Sequence, residues 1–258
     1  MRPVKIIFFD IDGTLVDPAT GRIPPKTFEA LNLLQEKGIR LCVATGRPTA
    51  SLPDFQGLHF DAFCTFNGSL CYTEAEVIHR IPIPREDLRK VRENAAAIGR
   101  PISAALRDRL VASGWDEDLA GYYQLAGLEL TVDVDFETAC QEEVYQIMLG
   151  CRETDHAHII RDTQGVTITF SWDRAADVIP SGSGKAQAIL KILEHYHLDA
   201  SEAMAFGDGF NDLEMLQTVG TGVAMGNGSP RLKAVADDVC GKVSEDGIYH
   251  YCIDHGLI

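Results

Sequence analysis

Three stretches of the chain repeat one order of apolar and polar positions. Residues 4–9 are apolar apart from Lys5 and run into "DIDGTLVD"; "IRLCVATGR" covers 39–47, and "EAMAFGDGFND" covers 202–212. Each is a short, almost uniformly apolar run followed by a polar or glycine-rich loop. Runs this short and uniform predict parallel strands covered on both faces. A helical pattern over 26–37 feeds the second run, with Gly38 as its stop. Another over 185–197 feeds the third, with Ser183 as its N-cap. Strands alternating with helices predict a doubly wound α/β parallel sheet, in which ligands bind beyond the carboxyl ends of the strands. Asp10, Thr45 and Asp208 fall at three such ends, far apart in sequence.

The pattern changes in the middle. "PISAALRDRLVASG", "LELTVDV", "VYQIMLGC" and "VTITFSW" alternate or are rich in β-formers, and helical stretches lie between them at 85–98, 116–125 and 154–159. Strands broken by helices predict an α+β unit with an antiparallel sheet. The expected division is a Rossmann-like core from 1–81 and 182–258, with 82–181 as an inserted second domain.

Composition narrows the function. A length of 258 residues leaves room for two domains, and 45% hydrophobic with 24% charged residues is the make-up of a soluble globular protein. No apolar run approaches the roughly 20 residues of a membrane span, and the first residues do not read as a secretory signal. The formal net charge of −15 argues against non-specific nucleic-acid binding, which needs basic surface. The seven cysteines are odd in number, lack any C-x-x-C and sit mostly in apolar runs. They read as buried thiols of a reducing cytoplasm, not as disulfides or a zinc site.

The carboxylates carry the chemistry. Residues i and i+2 of a strand point the same way, about 6.5–7 Å apart, so Asp10 and Asp12 are expected to flank one ligand group, with Asp208 bringing a third carboxylate. Three such charges repel unless a cation or a proton intervenes. Oxygen-only donors favour Mg2+ over zinc. Reading the aspartates as turn formers and caps explains one site well and three coincident strand ends poorly. Thr45 and Gly46 add anion-binding groups, and Lys185 opens a helix whose dipole favours a negative ligand. "SGSGK" is not a phosphate loop, since Ile179 stands where the first glycine belongs and Ala186 where Ser or Thr is needed. Asp212 is either a metal residue or a cap, with Glu214 able to complete a capping box to Asn211. "GNGSP" reads as a turn, His156 and His158 as surface residues, and Trp115 and Trp172 as packing residues. A metal, carboxylates, a lysine and a threonine suit a phosphoryl group, whose transfer depends on positioning and charge neutralisation. A carboxylate can serve as the nucleophile, and a second carboxyl as acid and then base.

In order and spacing, "DIDGTL", "VATGR", Lys185 and "GDGFND" resemble the four motifs of the haloacid dehalogenase superfamily. The closer resemblance is to its Cof-like phosphatases of subclass IIB with a C2-type cap, and "FNGS" is similar to the Asn-Gly stretch they carry before the cap. "IPSGSGK" departs slightly, because relatives more often have a bulkier residue before the lysine. The resemblance implies Asp10 as nucleophile and Asp12 as general acid/base. It implies Mg2+ held by the Asp10 side chain, the Asp12 backbone carbonyl and the Asp208 side chain. It implies that Thr45, Gly46, Lys185 and Asn211 hold the phosphate, and that the insert is a mobile cap. The expected activity is a Mg2+-dependent cytoplasmic phosphatase acting on a small phosphorylated metabolite such as a sugar phosphate. The alternatives are a phosphomutase or phosphotransferase with the same intermediate, and a non-catalytic phosphometabolite-binding protein.

Overall fold

The computed structural model describes residues 3–170 and 173–258. Among them are thirteen strands: β1 (Ile6–Phe9), β2 (Arg40–Ala44), β3 (Ala62–Thr65), β4 (Leu70–Tyr72), β5 (Val77–Arg80), β6 (Ile102–Ala105), β7 (Leu110–Ala112), β8 (Gln146–Gly150), β9 (Val166–Thr169), β10 (Ala175–Pro180), β11 (Ala203–Gly207), β12 (Thr221–Ala224) and β13 (Asp238–Val239). Eight form one sheet in the order β13-β12-β11-β1-β2-β3-β4-β5, parallel from β13 to β3 and closed by antiparallel β4 and β5.

Both faces of this sheet are covered. Ile7 and Phe9 of β1 join Leu31 and Leu34 of helix Pro25–Glu36 and Ile248 of helix Gly247–Asp254. Ile6 and Phe8 point the other way, into Ile189 and Ile192 of helix Lys185–Tyr196 and Met215 of helix Leu213–Thr218. Period-two alternation of an all-apolar strand therefore feeds two cores at once. Each fully buried phenylalanine stabilises the fold by about 1.5–3 kcal/mol. Gly38, at φ 78°, is the left-handed stop after the first helix. Ser183 does not cap the other: the N-cap position is Gly184, and the Ser183 hydroxyl donates to the Pro180 carbonyl.

The other five strands form a second, antiparallel sheet in the order β7-β6-β8-β10-β9. Ile147, Leu149, Ala176 and Val178 face a core with Leu88 and Val91 of helix Arg85–Ala97. Met148 faces the opposite way, against Leu119 and Tyr123 of helix Glu117–Leu125, whose start Asp116 caps by accepting the Leu119 amide. Asp177 is the β-partner of Met148 and so lies on that second face.

Several sequence expectations give way here. "LELTVDV" forms no strand, only a single bridge from Val132 to Ala112, and Val134 is fully exposed. Its Leu128 and Leu130 pack beside Leu119, Tyr123 and Met148 without joining the sheet. The 154–159 helix is a short 3-10 turn, Glu153–Asp155, followed by one α-turn, His156–Ile159. Trp115 is 63% exposed and is not a packing residue; Trp172 lies outside the described residues. His156 and His158 are half-buried. All seven cysteines are free, with Cys240 half-buried and the rest buried. No helix among the described residues is long and apolar enough to cross a membrane.

Candidate active site

Three neighbouring parallel strands, β11, β1 and β2, end side by side, and the next residue of each is Asp208, Asp10 and Thr45. The sheet thus gathers groups almost 200 positions apart in sequence: the Thr14 hydroxyl donates to Asp208 Oδ1 at 3.2 Å. The turn after β1 comes so close to Asp208 that a Cβ on Gly13 would stand 2.3 Å from its carboxylate, and Gly13 also has φ 82°. Only glycine satisfies both demands.

The cluster is buried. Lys185, 2% exposed, donates to Asp10 Oδ1 at 2.6 Å and to Asp212 Oδ1 at 2.5 Å. Oxygens of Asp10, Asp208 and Asp212 all lie within 4.8 Å of one another. Three carboxylates thus face one ammonium. Burial pushes the Asp10 carboxyl well above its usual range; Lys185 opposes this, and the neighbouring Asp212, Asp208 and Asp12 add to it. Burial, with Asp212, pushes Asp208 up to about 7. Burial alone would pull Lys185 down, but the carboxylates of Asp10 and Asp212 outweigh it and hold the ammonium charged. Negative charge is left uncompensated at this spot, and all its donors are oxygens. That set fits a hard divalent cation.

The other expected residues are placed as follows. β1 ends at Phe9, so Asp10 and Asp12 lie beyond the strand and alternation does not govern their directions. The Asp12 carboxylate turns instead to Arg47, whose Nε and Nη2 donate to its two oxygens at 2.8 and 2.7 Å. Thr45 is buried, its hydroxyl accepting the Arg47 amide at 3.0 Å. The Asn211 side chain does not cap a helix; it donates to Asn67 Oδ1 at 2.9 Å. Asp212 does not cap forward either. Its Oδ2 accepts the amides of Asp208 and Gly209 at 3.0 and 2.9 Å, folding the loop back on itself. A cavity of about 250 Å³ opens over this floor, lined by Asp10, Asp12, Thr45, Gly46, Asp208 and Asn211 and, from the second sheet's side, by Tyr122, Met148 and Asp177.

Sequence reading missed five residues: Asn227, Asn67, Gln146, Asp177 and Tyr122. Asn227, in the segment read as a turn, donates to the Gly13 carbonyl at 2.8 Å and to Asp208 Oδ2 at 3.2 Å. Asn67 donates to Gln146 Oε1 at 3.2 Å and to Asp177 Oδ2 at 3.1 Å, and Tyr122 donates to Asp177 Oδ1 at 2.7 Å. The available signals were an acid inside the apolar run "AADVIP" and the Asn-Gly of "FNGS".

With this geometry in view, the chain belongs to the haloacid dehalogenase-like hydrolases: the family model so described matches residues 7–252. It is 34% identical over 258 residues, 98% of each chain, to the putative phosphatase YkrA of Bacillus subtilis (strain 168). It is 30% identical over 271 residues, 96% of this chain and 94% of the relative, to the HMP-PP phosphatase of Escherichia coli O1:K1 / APEC. Among solved structures, the subclass IIB sugar phosphatase BT4131 matches at TM-score 0.92 and 33% identity, covering 99% of this chain and all of that one. BT1666 from Bacteroides thetaiotaomicron, a phosphatase of the same superfamily, matches at 0.91 and 28% over 99% and 96%. The protein is a phosphatase of this family, which sets aside the non-catalytic reading.

Proposed function

We propose that the protein hydrolyses a small phosphorylated metabolite, such as a sugar phosphate, with Mg2+ and through an aspartyl-phosphate on Asp10. The observation that carries this is the buried Asp10 carboxylate, held by Lys185 beside Asp208 and Asp212 at the floor of the cavity. The Asp10 side chain, the Asp12 backbone carbonyl and the Asp208 side chain would hold the metal, with Asp212 fixing the loop that carries Asp208. A bound ion supplies charge neutralisation for the phosphoryl group. Thr45, Gly46, Lys185 and Asn211 take its oxygens. A carboxylate oxygen of Asp10 forms a bond to phosphorus, the bond from phosphorus to the leaving oxygen breaks, and that oxygen takes a proton from Asp12. Water then attacks the same phosphorus, its proton passes to Asp12, and the bond to Asp10 breaks to release phosphate. Asp12 serves once its pair with Arg47 opens to admit the leaving group. The free thiols support a reducing cytoplasm as the working compartment, and the sugar phosphatase BT4131 supports the substrate type.

The test is turnover of p-nitrophenyl phosphate with metal control and trapping of the intermediate. Activity should disappear in excess chelator and return with Mg2+, and the wild type should form a hydroxylamine-sensitive phosphoenzyme. Asp10→Asn should form none. Asp12→Asn should still be phosphorylated by this good leaving group but release phosphate slowly. Full turnover in chelator, or phosphoenzyme on Asp10→Asn, defeats the reading.

A further inference from the structure

Asp177 enters the cavity from the side opposite the phosphate floor. It is 3% exposed, lies on the face of the second sheet shared with Met148, and lines the same cavity as Asp10. A buried carboxylate usually has a cation beside it, yet the groups acting on Asp177 are all neutral: Tyr122, Asn67 and Gln146. A carboxylate offers about four lone-pair positions. Tyr122 takes one on Oδ1, Asn67 one on Oδ2 and Gln146 a third, so accepting capacity remains. The cavity wall also carries Pro18, Pro48, Leu125 and Met148, whose side chains donate nothing, and Arg47, whose donors are engaged by Asp12 and the Ser51 carbonyl. The cavity therefore presents an acceptor to whatever fills it, framed by apolar surface.

We propose that Asp177, braced by Tyr122 and Asn67, is a specificity-determining residue that accepts a hydrogen bond from a hydroxyl of the leaving group. This rests on the phosphatase reading. A phosphoryl group held at Asp10 and Thr45 lies in the same cavity as Asp177 and Tyr122, so the rest of a small substrate extends among them. The favoured class is a phosphomonoester whose leaving group carries hydroxyls at one edge and a carbon skeleton against Pro48 and Met148. A substrate without that donor leaves a buried acceptor unsatisfied, which is the strongest form of discrimination a small site has. Asn67 makes the recognition felt at the other end of the substrate. Its Nδ2 is bonded to Asp177 at 3.1 Å, and its Oδ1 takes the amide of the phosphate-holding Asn211 at 2.9 Å. One side-chain amide thus spans the leaving-group and phosphate ends of the site.

The experiment compares kcat/KM for a hexose 6-phosphate and for p-nitrophenyl phosphate, whose leaving group bears no hydroxyl. Asp177→Asn keeps the shape and replaces one accepting oxygen with a donor. The ratio of the two values, hexose over nitrophenyl, should fall about tenfold or more. Tyr122→Phe removes only the hydroxyl that braces Asp177 and keeps the ring, so it folds even where Asp177→Asn does not. Its ratio should fall about threefold or more, mainly through KM for the hexose ester. A ratio that stays at the wild-type value in both variants, whether both substrates lose equally or neither changes, overturns the assignment. Wild-type turnover of the nitrophenyl ester separates the two claims. If it is present and the ratio does not move, only Asp177 falls; if the wild type turns over neither ester, the phosphatase reading falls and the proposal with it.

Discussion

Asp177 also leaves a mark on stability. Burial lifts its pKa to about 7, although Tyr122, Asn67 and Gln146 donate to it. In the unfolded chain it titrates near 3.9. Its folded pKa is the higher one, so folding takes up a proton between about pH 4 and 7. The contribution is fully present below pH 4 and is lost as pH rises through 7. Three pKa units correspond to a few kcal/mol on the order of 1.4 each. Asp177→Asn does not titrate, while Asp10 and Asp208, also raised by burial, are common to both proteins. Thermal unfolding should therefore show wild type gaining over Asp177→Asn as pH falls from 8 to 5, with a change in Tm difference of several degrees. Parallel Tm curves would mean that Asp177 stays charged when buried.

At the scale of elements, the turn after β3 joins the two sheets and is held in an unfavourable shape. Phe66, Asn67 and Gly68 are all left-handed, at φ 53°, 51° and 94°. A bulky residue there costs of order 1–3 kcal/mol and persists only when its surroundings demand it. Phe66 is fully buried with Leu70, Ala105 and Tyr145, and Asn67 bonds both sheets' side of the site. A Cβ on Gly68 would stand 2.3 Å from the Gly184 carbonyl oxygen, next to Lys185, whereas one on Gly182, at φ 96°, meets nothing within 4 Å. Both alanine variants bear the backbone cost, but only Gly68→Ala must also push the Lys185 helix away from Asp10. Gly68→Ala should lower Tm by roughly 5 °C or more, clearly beyond Gly182→Ala, and lower kcat. Equal Tm losses would show that the close approach does not matter. The same contrast explains what the sequence reveals. β1, β2 and β11 are legible because burial on both faces leaves an unbroken apolar run, and Asp10, Thr45 and Asp208 are legible because they end those runs. β5 is short and largely solvent-facing, and β13 has two residues, so neither has a pattern to read. β10 was hidden by Asp177, a buried acid inside it. Asn67 and Asp177 meet across 110 positions, a contact made only by the packing of one sheet on another.

At the scale of the molecule, the apolar cores divide with the chain. The two clusters around the first sheet draw no residue from 82–181, and the large cluster of the second sheet draws all of its residues from 83–178. Between them lie a small cluster of Phe66, Leu70, Ala105 and Tyr145, the Asn67 bonds, the bond from Gln146 to the Gly46 carbonyl at 3.3 Å, and the stacked rings of Phe170 and Phe210 at 4.8 Å. That junction is narrow and partly polar, which is the usual character of surfaces that separate and close. We take 82–181 to be a mobile cap domain, and its removal to be the test. Joining 81 to 182 through a short linker removes no member of either core around the first sheet, so the remaining chain should keep its helical and strand signals and unfold cooperatively. It will expose Phe66, Leu70 and Phe210, so solubility and monodispersity come first. Asp10, Asp12, Lys185 and Asp208 all remain, and hydrolysis of p-nitrophenyl phosphate should survive at a reduced rate because water now reaches the floor. What should collapse is choice. With Tyr122, Met148 and Asp177 gone, kcat/KM values across a panel of phosphomonoesters should converge to within a few-fold of one another, ordered by the quality of the leaving group rather than by its shape. A folded, soluble core that keeps the wild-type ranking of substrates would place selection in the first sheet's own loops and remove the cap from it.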